Sequence, residues 1–282
     1  MTKRKFAVIG HPIGHTMSPF IHKRLFELAG QACDYDILDI APEDLGAKFQ
    51  SVLKDLAGFN ITIPHKQGII PYLTHLDSKA ALYGSVNTVK NIDNQIYEGY
   101  TTDPDGFLKA LKFGNIPFKG NVVIVGCGGV ARTFAYEAAL AGCNLTIAVR
   151  PEDLSIAAEL AGELRLKLGF TSLATSYIDR IEGDFDLLVN ATPVGMYPHT
   201  DAMAVSKETL SHCAHVFDAV YNPLETTLLK TARANGSVVL GGISMLVWQA
   251  VVSHEIWDGS VYNDDDIRQL CLDTSEELNR KF

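Results

Sequence analysis

The stretch Asn121-Val-Val-Ile-Val-Gly126-Cys-Gly128-Gly129-Val-Ala131 decides the fold. A short apolar run enters a glycine turn and continues directly into a helical pattern that Gly142 ends. Strand, glycine turn and helix in that order form the opening unit of a dinucleotide-binding fold. Gly126 permits the tight turn and Gly128 lets the main chain approach a pyrophosphate. Ala131 replaces the third glycine where helix and strand pack, and the first amides of the helix face the anion. An ordinary tight strand-to-helix turn accounts for the same residues without a ligand.

Cofactor choice is read at the end of the following strand, about 20 residues on, where an acid suits a ribose hydroxyl and an arginine suits a 2′-phosphate. That strand ends Val149-Arg150-Pro151-Glu152-Asp153. Arg150 favours NADP, and the two acids after it favour the unphosphorylated ribose, so NADP and NAD both stay open.

Outward from this unit, apolar runs at 6–9, 35–40, 59–63, 145–149, 185–189, 216–220 and 238–240 alternate with amphipathic stretches. The alternation predicts an α/β protein with parallel sheets. Ser18-Pro19 begins a helix that Gly30 ends, and Pro42-Glu43-Asp44 begins another that Gly58 ends. Residues 85–100 alternate around Asp93-Asn94 and read as a β-hairpin. A last helix starts near Asn263.

The 282 residues suit two domains, and 47% hydrophobic with 20% charged residues is a globular composition. A net charge of −9 opposes nucleic acid and anionic lipid as partners. Five separated cysteines without a C-x-x-C pair read as reduced thiols, and Cys127 reads as a small turn-filling residue more readily than as a redox sensor. The apolar run after Lys3-Arg4-Lys5 stops at Gly10, short of a signal peptide, and the window 243–252 is far below the ~18 residues of a membrane span. A cytoplasmic protein is expected. His212-Cys213-x-His215 matches no standard zinc spacing, so no metal is expected.

The first part of the chain carries other motifs: His11-Pro-Ile-Gly-His15-Thr16-Met-Ser18-Pro, Asn60-Ile-Thr62-Ile-Pro64-His65-Lys66, Ser85-Val-Asn87-Thr-Val and Thr101-Thr102-Asp103. They lie at strand ends and turns, where binding residues usually sit. Thr16, Ser18, Thr62 and Asn87 offer neutral hydrogen bonds, Lys66 a cation and Asp103 a carboxylate, a set suited to a small polyhydroxylated acid. Asp103-Pro104 also reads as a helix cap followed by proline, and the neutral groups also read as turn bonding.

With Val189-Asn190-Ala-Thr192-Pro-Val-Gly195-Met196, Phe217-Asp218-Ala-Val-Tyr221-Asn222-Pro223 and Gly241-Gly242-Ile-Ser-Met245-Leu-Val-Trp-Gln249, the chain resembles the shikimate dehydrogenase family, its quinate/shikimate members included, over nearly its whole length. The resemblance implies a substrate-binding and catalytic domain from residues 1–104 plus 242–282, a Rossmann-like NAD(P)-binding domain from 105–241, and a cleft between them. It implies hydride transfer between 3-dehydroshikimate and shikimate in aromatic amino acid biosynthesis (the chorismate pathway), by a monomer or homodimer. Lys66 and Asp103 then correspond to the catalytic pair. Thr16, Ser18, Thr62, Asn87, Tyr221 and Gln249 correspond to substrate contacts, and Gly126, Gly128, Gly129, Val130, Ala131, Arg150, Thr192 and Gly242 to cofactor contacts. Thr16 stands where shikimate-using members usually place serine, Thr101 replaces an asparagine and Pro104 a glycine. These departures motivate an alternative in which the substrate is quinate or another cyclic hydroxy acid. A noncatalytic dinucleotide or metabolite sensor is the alternative of another class.

Overall fold

A computed structural model describes residues 3–14 and 16–281; His15 of the first motif lies outside them. In chain order the elements are β1 (Arg4–Gly10), α1 (Ser18–Leu28), β2 (Cys33–Asp39), α2 (Leu45–Ser51), β3 (Gly58–Ile61), α3 (His65–Gly68), β4 (His75–Leu76), α4 (Ser78–Tyr83), β5 (Thr88–Asn91), β6 (Tyr97–Tyr100) and α5 (Asp103–Phe113). There follow β7 (Asn121–Val125), α6 (Gly129–Leu140), β8 (Asn144–Val149), α7 (Leu154–Leu168), β9 (Leu173–Tyr177), β10 (Leu187–Asn190), α8 (Lys207–Ser211), β11 (His215–Asp218), α9 (Thr227–Ala234) and β12 (Val238–Gly241). The chain ends in α10 (Ile243–Asp258) and α11 (Asp264–Lys281). Two compact units result, Met1–Gly106 with Val247–Phe282, and Phe107–Leu246, so the boundaries fall inside α5 and α10.

The sheet of the first unit has the order β2-β1-β3-β5-β6-β4. It is mixed rather than parallel, correcting the expectation drawn from alternation. β1 pairs in parallel with β2 and β3, but the hairpin β5–β6 enters antiparallel to β3. The hairpin turns where Asn94 takes φ +62 and donates its main-chain N–H to the side chain of Asn91. Asparagine tolerates this left-handed backbone better than most residues. Phe6, Phe26 and Trp257 form an aromatic core on this sheet, with Phe6 5.0 Å from Phe26 and 4.6 Å from Trp257 between ring centres. The Trp257 indole N–H donates to the Val89 carbonyl at 3.0 Å, which ties α10 onto β5.

The sheet of the second unit has the order β12-β11-β10-β7-β8-β9, and every pair in it is parallel. Strand order reverses between β7 and β10, the topological switch point where doubly wound sheets bind ligands at the carboxyl ends of their strands. Phe107, Phe134 and Phe217 pack on this sheet, Phe107 with its ring centre 4.1 Å from Phe134 and 5.1 Å from Phe217.

Two further expectations needed revision. The helix expected from Pro42 to Gly58 is α2 between two 3₁₀ turns, Pro42–Asp44 and Leu53–Asp55. β9 escaped notice because this edge strand reads Leu-Ala-Thr-Ser-Tyr and is half exposed, so it carries no apolar run. Among the described residues no helix is long and apolar enough to cross a membrane, and no group of three or more His, Cys, Asp or Glu is placed to hold a metal.

Candidate active site

In the first unit the site is built where β3 turns into α3. His65 is buried and its Nε2 lies 2.6 Å from the Ile40 carbonyl, which anchors the one-turn helix. The next residue, Lys66, thereby starts from a fixed main chain, and its carbonyl accepts the N–H of Val86 at 2.8 Å. Its ammonium donates to Asp103 Oδ2 at 2.6 Å, an ion pair with side chains 30% and 11% exposed.

Asp103 opens α5, and its second oxygen is held as well, by Asn87 Nδ2 at 2.9 Å. Asn87 cannot be turned the other way, because its Oδ1 accepts the Thr102 N–H at 2.7 Å. Its amide group also lies 3.4 Å from Gln249 Oε1 on α10. Lys66, Asp103, Asn87 and Gln249 are therefore one hydrogen-bonded set. Gly106 makes this possible, since a side chain there would meet the main chain and Cβ of Gln249 at 2.8 Å.

Behind the set runs a buried polar ladder that sequence reading did not single out. Thr88 Oγ1 donates to Asn87 Oδ1 at 3.2 Å, and Asn60 Nδ2 donates to Thr88 and to Ser253, each at 3.0 Å. Asn60 Oδ1 accepts the Tyr35 hydroxyl at 2.7 Å. Burial pushes the Tyr35 phenol well above its usual range, so it stays a neutral donor. Ser18 accepts from Thr16 Oγ1 at 3.1 Å and donates its main-chain N–H back to that oxygen at 3.1 Å. Thr16 and Ser18 thus form a bonded pair of their own at the start of α1, in the same unit as Asp103. Thr62 makes a packing contact instead: its methyl fills the space over Gly10, where an added Cβ would come within 2.5 Å. Asn60 and Thr88 stand in quoted motifs, whereas Tyr35 and Ser253 lie in ordinary apolar patterns and show their place in the ladder only by pairing.

In the second unit the glycine turn has the form a dinucleotide needs. Gly126 takes φ +107, and a Cβ there would press on Thr192 at 2.9 Å. A Cβ on Gly128 or Gly129 would meet nothing within 4 Å, so the main chain of the turn is openly accessible. Gly128 is the N-cap of α6 without any side-chain cap, and Val130 and Ala131 follow in its first turn, Ala131 fully buried against the sheet. Uncapped amides of a 12-residue helix beneath an open glycine turn fit a pyrophosphate.

Thr192 is fixed beside this turn, donating to Asn190 Oδ1 at 2.7 Å. Asn190 donates to the buried Asp218 at 2.9 Å, and Asp218 also accepts Thr226 Oγ1 at 2.6 Å. Burial raises the Asp218 carboxyl while Thr226, the Val220 amide and Asn190 pull it back down. Tyr221 stands three residues beyond β11, half-buried, with its hydroxyl pushed up by burial. Gly242 lies against Ala219, whose carbonyl oxygen would be 2.4 Å from any Cβ there. Arg150 is exposed and ion-paired to Asp153 at 2.8 Å and Glu152 at 3.3 Å. Burial pushes the Cys127 thiol up, away from the reactive thiolate a redox sensor requires.

The site residues expected from sequence therefore divide between the units. Lys66, Asp103, Thr16, Ser18, Thr62, Asn87 and Gln249 belong to the first, and Tyr221 with all the expected cofactor contacts belongs to the second.

A family model described as the shikimate dehydrogenase substrate binding domain matches residues 8–89. The shikimate dehydrogenase (NADP(+)) of Methanocaldococcus jannaschii is 38% identical over 276 residues, covering 94% of this chain and 95% of that protein. Among solved structures, shikimate 5-dehydrogenase of Thermus thermophilus in complex with NADP(H) and shikimate is similar with a TM-score of 0.85 at 31% identity, covering 96% of this chain and 99% of that one. Quinate dehydrogenase of Corynebacterium glutamicum in complex with NAD is similar with a TM-score of 0.84 at 30% identity, with the same coverage.

Proposed function

The chain belongs to the shikimate dehydrogenase family, and from that premise we propose that it interconverts 3-dehydroshikimate and shikimate with NAD(P), using Lys66 and Asp103 to move the proton. A bound nicotinamide dinucleotide supplies or removes the hydride at the carbinol carbon. The rest of the chemistry falls to side chains of this chain. As the carbonyl becomes an alkoxide, its oxygen takes a proton from the Lys66 ammonium; in the reverse direction the lysine amine receives the proton of the alcohol. Asp103 accepts a hydrogen bond from the ammonium at 2.6 Å and fixes where its protons point. Asn87 holds the other carboxylate oxygen, so the pair is preorganised before substrate arrives.

The observation that carries the reading is this lysine–carboxylate–amide set, joined through Thr88 and Asn60 to the Tyr35 hydroxyl, with the Thr16 and Ser18 hydroxyls that suit a small acid in the same unit. Thr16 and Ser18 receive the substrate carboxylate with neutral donors, and Thr62, Asn87, Tyr221 and Gln249 contact the ring hydroxyls. The first unit is the substrate-binding domain and the second the dinucleotide-binding domain. There Gly126, Gly128, Gly129, Val130 and Ala131 receive the pyrophosphate, and Arg150, Thr192 and Gly242 line the rest of the cofactor. The enzyme is cytoplasmic, acts as a monomer or homodimer, and has no nucleic-acid partner.

Quinate is the second reading, favoured by Thr16, whose extra methyl alters where the carboxylate sits, and by the similarity to a quinate dehydrogenase. The test is nicotinamide reduction by the purified protein with shikimate and with quinate, each against NAD and NADP. Faster turnover of shikimate supports the first reading, and faster turnover of quinate the second. Cofactor binding without turnover of either acid moves the protein to another cyclic hydroxy acid or to a sensor.

A further inference from the structure

The turn that follows β8 holds an ion pair whose chemistry bears on which cofactor is chosen. Arg150 Nε and Nη2 both donate to the single oxygen Asp153 Oδ2, at 3.0 and 2.8 Å, and Glu152 lies 3.3 Å from Nη1. Pro151 begins the 3₁₀ turn between them, which the Asp153 N–H closes onto the Arg150 carbonyl at 3.0 Å. Asp153 occupies the N-cap position of the 15-residue α7, where an aspartate normally accepts main-chain N–H groups. It makes no such bond here; its carboxylate turns to Arg150 instead.

The turn also lies against the glycine turn. The Cys127 thiol, between Gly126 and Gly128, donates to the Asp153 carbonyl at 3.9 Å. The guanidinium and its carboxylates therefore border the place where the ribose of a dinucleotide on the glycine turn would sit.

A 2′-phosphate would draw Arg150 and would also meet two carboxylates within reach of its own negative charge. A free 2′-hydroxyl would find in Asp153 the acceptor that NAD-binding folds supply. Exposed ion pairs are weak, so the arginine is free to exchange partners, but the repelling charges stay in place.

We infer that Asp153 is a cofactor-selectivity residue: with Arg150 it forms an internal pair that admits both NADP and NAD and prevents strong preference for NADP. This rests on the glycine turn being the dinucleotide site.

The test is calorimetric binding to the intact protein of NADP, NAD, 2′,5′-ADP and 5′-AMP. The last two isolate the 2′-phosphate from the nicotinamide end, and none of the measurements needs a substrate. In the parent protein the NADP and NAD affinities are expected within about tenfold of one another. Asp153→Asn keeps the shape and removes the charge. It is expected to tighten NADP and 2′,5′-ADP relative to NAD and 5′-AMP by about tenfold, and Arg150→Gln to shift both ratios the opposite way by a similar factor. Unfolding midpoints of both variants within a degree or two of the parent confirm that the fold is kept. A parent protein that binds NADP more than about a hundredfold tighter than NAD overturns the inference, as do ratios left unchanged by Asp153→Asn. If no dinucleotide or nucleotide binds at all, the glycine-turn reading fails and the inference fails with it.

Discussion

Lys66 is the residue on which the proposed chemistry turns. Removing its ammonium leaves the binding hydroxyls in place but takes away the proton source, so Lys66→Ala is expected to lower kcat by about 10²–10⁴ with KM for the acid changed only a few-fold. Steady-state kinetics in both directions check this, and an unchanged kcat removes lysine from the mechanism. Thr16 tests selectivity rather than rate. Its hydroxyl makes both bonds to Ser18, which serine in its place retains, so Thr16→Ser deletes only a methyl. One methyl in a pocket changes discrimination by about tenfold. The ratio of kcat/KM for shikimate to that for quinate is expected to rise by that order, and equal ratios exclude Thr16 from substrate choice. These two residues were legible in the sequence because their motifs combine rare neighbours at turns. Tyr35 and Ser253 were not, because a hydroxyl in an apolar strand or helix shows its place only when its partner from another element is known.

Packing between elements explains why the first unit needs α10. Gly106 lets α5 approach Gln249 so closely that Gly106→Ala pushes against main chain rather than a flexible tip. A second contact is wholly buried: His22 Nδ1 on α1 lies 3.1 Å from His254 Nε2 on α10. Tyr262 lies 2.9 Å from His254 Nδ1 and donates its hydroxyl to the Leu25 carbonyl. With the phenol proton directed to Leu25, His254 Nδ1 donates to the phenol oxygen and its Nε2 accepts from His22. Both rings are then neutral, and protonating His254 would set two N–H groups against each other. Burial lowers the His254 pKa to about 4, with Asp258 opposing and Arg4 adding to the effect; His22 is lowered well below its ordinary value by burial and by His254. Their folded-state pKa values lie below those of the unfolded chain, so the unfolded chain binds more protons in acid. This stability is fully present above pH ~6.5 and is lost as pH falls toward 4, by about 3 kcal/mol for His254 alone. His254→Gln is expected to flatten the slope of urea-derived stability over that interval while leaving the slope above pH 7 as it was. A slope unaltered below 6.5 excludes the pair as its source. The helix carrying His22 was predicted from its cap and its closing glycine, but its contact with His254 spans 232 positions of chain and no local pattern encodes it.

Over the whole chain, what could be read in advance followed from how much of each unit is local. In the all-parallel sheet five of the six strands carry an apolar run of their own, so alternation predicted it apart from the edge strand β9. The first sheet mixes parallel and antiparallel pairs and takes its cover from residues far along the chain, and its mixed character follows from the hairpin read over 85–100 rather than from alternation. This difference has a consequence for folding. Residues 107–246 contain a complete six-stranded sheet and the Phe107–Phe134–Phe217 core, so this segment alone is expected to unfold cooperatively. A dinucleotide at a hundred times its dissociation constant should stabilise it by about 2.7 kcal/mol. Residues 1–106 alone keep every strand of their sheet but lose Trp257 from its packing against Phe6 and Phe26, Ser253 from the polar ladder and His254 from His22. Removing one buried tryptophan already costs about 3–5 kcal/mol, a large part of the 5–15 kcal/mol that holds a domain together. This fragment is expected to show no cooperative transition, and joining residues 247–282 to residue 106 through a flexible linker is expected to restore one. Circular dichroism during urea titration separates the cases. A cooperative transition in 1–106 alone would mean that its core is complete without α10, and that the C-terminal helices serve the active site rather than the fold.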